Sequence, residues 1–297
     1  MIDYSICGWR VRSELPLPEA APWPDHDRPV DVQIGAAPVP AISNKNRYFQ
    51  TTQDGQVFLD LSPVARFLVA PNNILVDTSY PLEAPDWRVR LLGPALGLLC
   101  YLRGIVPLHA CSLRIGTRTI AIAGQSCTGK STLAAALMRR NHVLVTDDIC
   151  AIALHDGRPT VLPSFPAVKL PTDSLNTLDI NPNGLVHVWL DVDKFLLPGS
   201  DSFDPNPLPL NTIYLIEDAS EGYQPAIIPI SGADAFERLN EVYYRDNIGR
   251  LIRPATDWFA MAAQLAHYVT VRRLVRRPCF AFLKELVELI EADATVD

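Results

Sequence analysis

Residues 119–132 read TIAIAGQSCTGKST, and the fold turns on this stretch. The apolar run Thr119–Ala123 reads as a buried strand, and the Ala/Leu-rich segment Lys130–Arg140 reads as a helix. Between them, Gly124, Gly129, Lys130 and Ser131 satisfy the spacing of glycine, four residues, then Gly-Lys-Ser. Glycines at those two places permit backbone angles that turn successive N–H groups inward, at the positive end of the next helix. A lysine adds a point charge for the outer phosphates, and a serine hydroxyl suits magnesium. The expectation is a phosphate-cradling loop made by Gly124, Ser126, Cys127, Thr128, Gly129, Lys130, Ser131 and Thr132, with ATP and Mg2+ as cofactors.

Beyond the loop, a helix over 130–140 climbs about 15 Å, and a strand over 142–147 descends by a similar amount. The Asp147-Asp148 pair therefore returns to the level of the loop. Adjacent residues of an extended chain point to opposite sides, so the two carboxylates can divide the work. One can orient the metal and its water while the other accepts the proton of an attacking hydroxyl.

The flanking sequence predicts an α/β core. Leu108–Ile115 and Arg118–Ala123 form a hairpin at Gly116-Thr117, Val143–Val145 is a strand, and Ile149–Leu154 pairs with Thr160–Leu162 around Asp156-Gly157. Thr212–Ile216 is a later strand, and Ala233–Tyr244, Asp257–His267 and Phe282–Ala292 are helices. Residues 1–85 hold short β-prone runs, Tyr4–Val11, Val30–Ile34, Gln56–Leu61 and Arg66–Val69, and the proline-rich stretch Leu15–Pro40 reads otherwise as irregular linkage. Asp86–Arg103 is helix-compatible, with Gly93-Pro94 set to break or kink it. The expected organisation is a β-rich accessory region over 1–85 and a phosphate-loop domain, a mixed sheet with flanking helices, over 86–297.

Bulk properties narrow the partners. The chain has 297 residues, 48% of them hydrophobic, and 26 Lys+Arg against 33 Asp+Glu give a net charge of −7. That balance argues against general attraction to nucleic acid or an anionic membrane. The most apolar segment, Leu91–Leu102, falls short of the roughly 20 residues a bilayer requires. The first residues, MIDYSICGWRVRS, lack the pattern of a secretory signal, which points to the cytoplasm. Of six cysteines, five read as small core residues, and Cys127 stands apart inside the loop. Further cations are candidates for a phosphate contact: Lys169, Lys194, Arg245, Arg250, Arg253 and the Arg272, Arg273, Arg276, Arg277 cluster. A snorkelling role is the simpler one for Lys194, and a solvated edge for the cluster.

The segment LHACSLRIGTRTIAIAGQSCTGKSTLAAALMRRNHVLVTDD resembles the catalytic domain of the HPr kinase/phosphorylase family. That family places a histidine before the first strand, a Gly-x-Ser-Gly-x-Gly-Lys-Ser loop, a helix ending near Arg-Gly-His, and an Asp-Asp pair. Here these fall on His109, Gly124–Ser131, Arg140-Asn141-His142 and Asp147-Asp148. The resemblance implies an ATP-dependent serine kinase in which Asp148 is the base, Asp147 and Ser131 serve the metal, Lys130 faces the phosphates, and His109 lies near the transferring group. Two departures stand out. Cys127 replaces the second loop glycine, and LPSFPAVKLPTDS occupies the place of the family's glycine-rich motif with its metal-binding glutamate, so HPr itself is not the expected substrate.

Across its length the chain is similar to the HPr-kinase-related proteins found with ribosomally made peptides, including the lasso-peptide kinases. The β-rich start, the Leu-His-Ala opening, the stretch PSFPAVKLP and the late VRRLVRRP carry this likeness. It implies a peptide partner phosphorylated on a serine hydroxyl. A small-molecule kinase and a regulatory nucleotide-binding module of little turnover are the alternatives, and self-association is compatible with the sequence.

Overall fold

The computed structural model describes residues 1–24, 28–42, 48–189, 192–219 and 223–295, arranged as a mixed α/β structure with three sheets. The first strands, β1 (Ile2–Ile6) and β2 (Trp9–Ser13), are joined through Cys7-Gly8, both at positive φ (52° and 70°). Two left-handed residues match the twist of a tight hairpin, so the run Tyr4–Val11 is split by a turn rather than forming one strand. β3 (Ala21–Pro22) lies inside the proline-rich stretch read as irregular, and β4 (Val32–Ala36) falls on the β-prone run Val30–Ile34 within it. They join β5 (Phe49–Thr51), β6 (Val57–Leu61), β7 (Ala65–Ala70) and β8 (Asn73–Thr78) in the order β3-β1-β2-β4-β8-β7-β6-β5. Along β7, Ala65, Phe67 and Val69 are buried while the residues between them are half-buried, the alternation of a sheet with one face on the core.

Two helices follow, α1 (Pro85–Arg90) and α2 (Leu96–Leu102), run together through a π turn, Leu91–Ala95, that contains Gly93 and Pro94. A proline lacks the N–H and crowds the preceding turn, and the wider π geometry absorbs it without ending the helix. Gly97 has a separate purpose. A Cβ there would stand 2.6 Å from Cε1 of Tyr244, so glycine lets the tyrosine ring close against the helix.

The second sheet begins with β9 (Leu108–Ile115) and β10 (Arg118–Ala123), an antiparallel hairpin. Then come α3 (Lys130–Met138), β11 (Val143–Thr146), β12 (Ile149–His155) and β13 (Arg158–Leu162). β14 (Ala167–Pro171), α4 (Thr172–Thr177), β15 (Val186–Trp189) and β16 (Val192–Pro198) follow, with β14, β16 and β15 forming the small third sheet. β17 (Leu208–Asp218), β18 (Ala226–Ile230), α5 (Gly232–Leu239), α6 (Asp246–Ile252), α7 (Ala255–Tyr268), β19 (Thr270–Arg276) and α8 (Leu283–Thr295) complete the chain.

What positions the loop is the placement of β10. It lies between β9, antiparallel, and β17, parallel, and β19 adds in parallel beyond β17. Residues Thr119–Ala123 are all buried, as a strand covered on both faces requires. Ile120 and Ile122 pack with Leu133 and Leu137 of α3 and Leu286 of α8, whereas Ala121 and Ala123 pack with Leu239 of α5 and Leu265 of α7.

Some expectations are corrected. The helix expected over Ala233–Tyr244 ends at Leu239, because residues 242–244 turn to bond the start of β9: the His109 N–H donates to Val242 O at 2.7 Å and the Tyr244 N–H to Pro107 O at 2.9 Å. Cys279, expected in the core, is exposed, while Cys7, Cys100, Cys111 and Cys150 are buried. Among the described residues no helix is long and apolar enough to cross a membrane.

Candidate active site

The loop leaves β10 at Ala123 and enters α3 at Lys130, with Gly129 capping the helix at φ 81°. Gly124 is hemmed in, since a Cβ on it would lie 3.1 Å from Thr128 Oγ1. Cys127 adopts φ 65°, in the left-handed region where glycine is at ease and a side chain is not. The loop is braced from within. Lys130 Nζ donates to the carbonyls of Gly124 (2.9 Å) and Gln125 (2.6 Å), and the Thr128 hydroxyl donates to Gln125 O at 2.8 Å. Lys130 is therefore only 6% exposed, not the exposed loop lysine a sequence suggests, and burial pushes its amine below the ordinary value against the pull of the nearby acids. With carbonyls drawn to the lysine, the loop opens at the positive end of α3, a setting for an anion.

β11 carries the chain back to Asp147 and Asp148, and their environments differ. Asp147 is 1% exposed. Its Oδ1 accepts the Ser131 hydroxyl at 2.8 Å and its Oδ2 accepts the Lys169 N–H at 3.0 Å. Burial, helped by the charge of Asp148, raises its carboxyl above the usual range. Asp148 is not extended: at φ 71° it turns between β11 and β12, a conformation aspartate tolerates better than most residues. Its Oδ2 accepts Lys169 Nζ at 3.0 Å, and Oδ1 lies 3.5 Å from His109 Nε2. Burial opposes the charge on Asp148, but the Lys169 charge and the contacts from His109 and Lys169 outweigh it and hold the carboxyl well below the usual range. Lys169 responds in kind, its desolvation outweighed by Asp148 so that its amine is raised.

The ring of His109, on β9, meets Tyr244 edge to face with centroids 5.7 Å apart. The Tyr244 hydroxyl is pushed up to about 12, first by burial and then by the charge of Asp148. Its backbone carbonyl accepts the hydroxyl of Tyr101 from α2, which ties the histidine's neighbour to the helix carrying Gly97.

These groups line one pocket of about 380 Å³, with His109, Ser126, Cys127, Gly129, Lys130, Ser131, Thr132, Asp147 and Asp148 all on its wall. Gly124 and Thr128 are not on that wall, and act by shaping the loop. Residues without a motif join them. Lys169 and Lys194 line the pocket, as does Ser174, whose hydroxyl lies 2.7 Å from that of Thr132. Only the unusual place of Lys169 in the apolar run FPAVKL marks it in the sequence, and nothing there marks Ser174.

Of the arginines singled out, Arg276 reaches the pocket. A Cβ built on Gly129 would be 3.4 Å from its Nη1, and its Nε pairs with Asp218 at 3.0 Å. Arg272 pairs with Asp293 and Arg273 with Glu217, and the Arg277 guanidinium lies 5.0 Å from the centre of the Phe282 ring. Arg250 pairs with Asp246 and Arg253 with Asp257, while Arg245 stacks on Tyr244 at 5.8 Å; none of these three lines the pocket.

Among the described residues, no three His, Cys, Asp or Glu side chains cluster as a metal-holding group. A magnesium ion does not require one, since it keeps several waters and takes one or two protein oxygens together with substrate phosphates. The Ser131 hydroxyl bonded to Asp147 fits that demand, with Asp147 orienting the hydroxyl.

No family model and no curated protein matches the chain. Among solved structures, it is similar to the Hpr(Ser) kinase/phosphatase from Coxiella burnetii at 14% sequence identity and a TM-score of 0.33, over 63% of this chain and 95% of that one.

One acid at this site is locked and the other is available. Both oxygens of Asp147 are engaged by donors of the protein itself, and Asp148 keeps 29% side-chain exposure toward the pocket. A carboxylate held in its ionised form, a buried amine and the Ser131 hydroxyl thus share one cavity at the N-terminal end of α3.

Proposed function

We propose that the chain is a phosphotransferase that moves the γ-phosphoryl group of a nucleoside triphosphate such as ATP to a serine hydroxyl of a peptide. The observation that carries this reading is that Asp148, held by Lys169 and His109, opens on the same pocket as Lys130 and Ser131 of the glycine loop. In the transfer, the serine Oγ–P bond forms as the bond to the β-phosphate oxygen breaks, and the nucleoside diphosphate leaves. Asp148 accepts the hydrogen bond of the incoming hydroxyl and takes its proton. Its low pKa makes it a weak base, which suits a loose phosphoryl-transfer transition state where orientation counts for more than abstraction. Lys130 and the loop N–H groups balance the outer phosphate charge, and Arg276 stands over Gly129 to meet the same anion. Magnesium, held at Ser131 with Asp147 behind it, would neutralise charge on the β- and γ-oxygens.

The serine hydroxyl and the peptide rest on the resemblance carried by His109, the loop and the acid pair, and on PSFPAVKLP and VRRLVRRP. The test is to incubate the purified protein with labelled ATP, magnesium and the peptides encoded beside its gene. Label should appear on a peptide serine, and it should vanish with Asp148→Asn and with the serine replaced by alanine. Transfer that survives Asp148→Asn would sink the assignment.

A further inference from the structure

The two sides of the loop strand differ in chemistry. β9 lies on one side of β10 and is paired by β11, so His109, Asp147 and Asp148 gather there. β17 lies on the other side and is paired by β19, so Arg276 and the chain after it arrive opposite the acids. On that far side the pocket wall turns apolar, with Pro278, Phe280, Leu283 and Leu286. Leu283 and Leu286 are fixed to Leu133 of α3 in one packed cluster, which makes the wall rigid. Phe280 is 45% exposed, and among the described residues it meets no other ring or cation.

We infer that this wall holds the nucleotide base, stacked on Phe280, and that it accepts adenine and guanine alike. The inference rests on the donor reading above and names what that reading leaves open. The loop fixes the triphosphate, the acids claim the β9 side for the acceptor, and Arg276 over Gly129 marks where the chain of phosphates passes to the far side. The remaining room is bounded by the apolar wall, and about 380 Å³ is within the size of small-molecule sites. Stacking uses the π-face, which every base has. Reading a base edge takes buried donors and acceptors that reject the wrong partner strongly. The side chains of Pro278, Phe280, Leu283 and Leu286 supply none, and the exposed Cys279 thiol among them is a weak donor only.

The experiment titrates ATP, GTP and inorganic tripolyphosphate into the full-length protein and into Phe280→Ala and Phe280→Trp by calorimetry. ATP and GTP should bind within about threefold of each other and about tenfold or more above tripolyphosphate, the order of one stacked base. Phe280→Ala should weaken both nucleotides by about tenfold and leave tripolyphosphate unchanged, and Phe280→Trp should restore them. ATP binding that matches tripolyphosphate, or that ignores Phe280→Ala, overturns the inference while leaving the loop reading in place. Exclusion of GTP by about a hundredfold overturns the lack of edge reading. An effect of Phe280→Ala on peptide KM alone assigns the wall to the acceptor and overturns the inference as well. Failure of all three polyphosphates to bind removes the loop reading itself.

Discussion

Lys169 reaches Asp148 through its amine, Nζ to Oδ2 at 3.0 Å, while its own backbone N–H holds Asp147 Oδ2 at 3.0 Å. A single residue of β14 thus sets both acids, and its side chain is only 12% exposed. Lys169→Met should leave Asp148 a half-buried charge with one partner fewer. Breaking a buried pair from one side costs about 3–5 kcal/mol, and the residual exposure of Asp148 reduces that to roughly 2 kcal/mol. Chemical denaturation of the variant measures it. Lys169→Arg should recover most of the stability, and an unchanged midpoint in Lys169→Met would show that the pair does not hold the site.

The same pair fixes a pH window. Asp148 is held below the usual carboxylate range in the folded protein, so its ionised form favours folding at pH above the unfolded value of about 3.9, and that contribution is lost as pH falls toward the folded value. Asp147 runs the other way: its raised carboxyl costs stability above its folded value, and the cost is relieved on acidification. Comparing wild type with Asp148→Asn removes the Asp148 contribution together with the part of the Asp147 shift that the Asp148 charge causes. Their difference in unfolding free energy should stay flat from about pH 8 to 5 and shrink below about pH 4. A difference that shrinks between pH 7 and 5 would place Asp148 in an ordinary or raised range.

The glycine loop and the acid pair were legible because their chemistry demands fixed residue types at fixed spacing along one strand, turn and helix. The hairpins at Gly116-Thr117 and Asp156-Gly157 were legible for a similar local reason. What was not legible depends on distant contacts. The chain past Leu239 is drawn from helix into bonding with Pro107 and His109, which no local propensity encodes. Pro94 is kept within a helix by a π turn, and Ser174 and Phe280 reach the pocket only because α4 and the chain before α8 converge on α3. The opposite environments of the two acids likewise come from Lys169, 22 and 21 residues away in sequence.

At Cys127 the backbone holds φ 65° where the resembled family has glycine. A left-handed L-residue costs about 1–2 kcal/mol, and glycine gives back about 0.5–1 kcal/mol through the freedom of its unfolded chain. Cys127→Gly should therefore stabilise the protein by roughly 0.5–1 kcal/mol, and Cys127→Ala should not. Paired denaturation curves check it. Equal effects from glycine and alanine would mean that the thiol, not the backbone, matters at this position.

Lys130 has two tasks, bracing the loop through the carbonyls of Gly124 and Gln125 and facing the pocket. Lys130→Met strands those carbonyls, which costs about 1–3 kcal/mol, and removes a preorganised charge, which costs about a hundredfold or more in transfer rate. Circular dichroism melts and single-turnover transfer separate the two. A variant that melts early yet transfers at full rate would confine the lysine to the architecture.

The aspartates are separated by chemistry, because orienting a metal ligand and accepting a proton respond differently to loss of charge. Asp148 opens on the pocket, and among the described residues its carboxylate meets His109 and Lys169, so Asp148→Asn should still bind ATP and magnesium while losing about a hundredfold or more in transfer, because the incoming hydroxyl loses the group that orients it. Asp147 is closed off by Ser131 and Lys169, so it acts through the serine hydroxyl it holds. Asp147→Asn places an amide opposite either the Lys169 N–H or the Ser131 hydroxyl and loosens that hold, and about 10–100-fold weaker magnesium-dependent nucleotide binding should follow. Ser131→Ala should then reproduce the binding defect, and combining it with Asp147→Asn should add little, because both act on the same contact. Calorimetric titration of Mg-ATP into the three single variants and the double variant, paired with single-turnover phosphorylation, decides the matter. Additive losses in the double variant would detach Asp147 from Ser131, and normal binding and transfer in both aspartate variants would remove both carboxylates from the reaction.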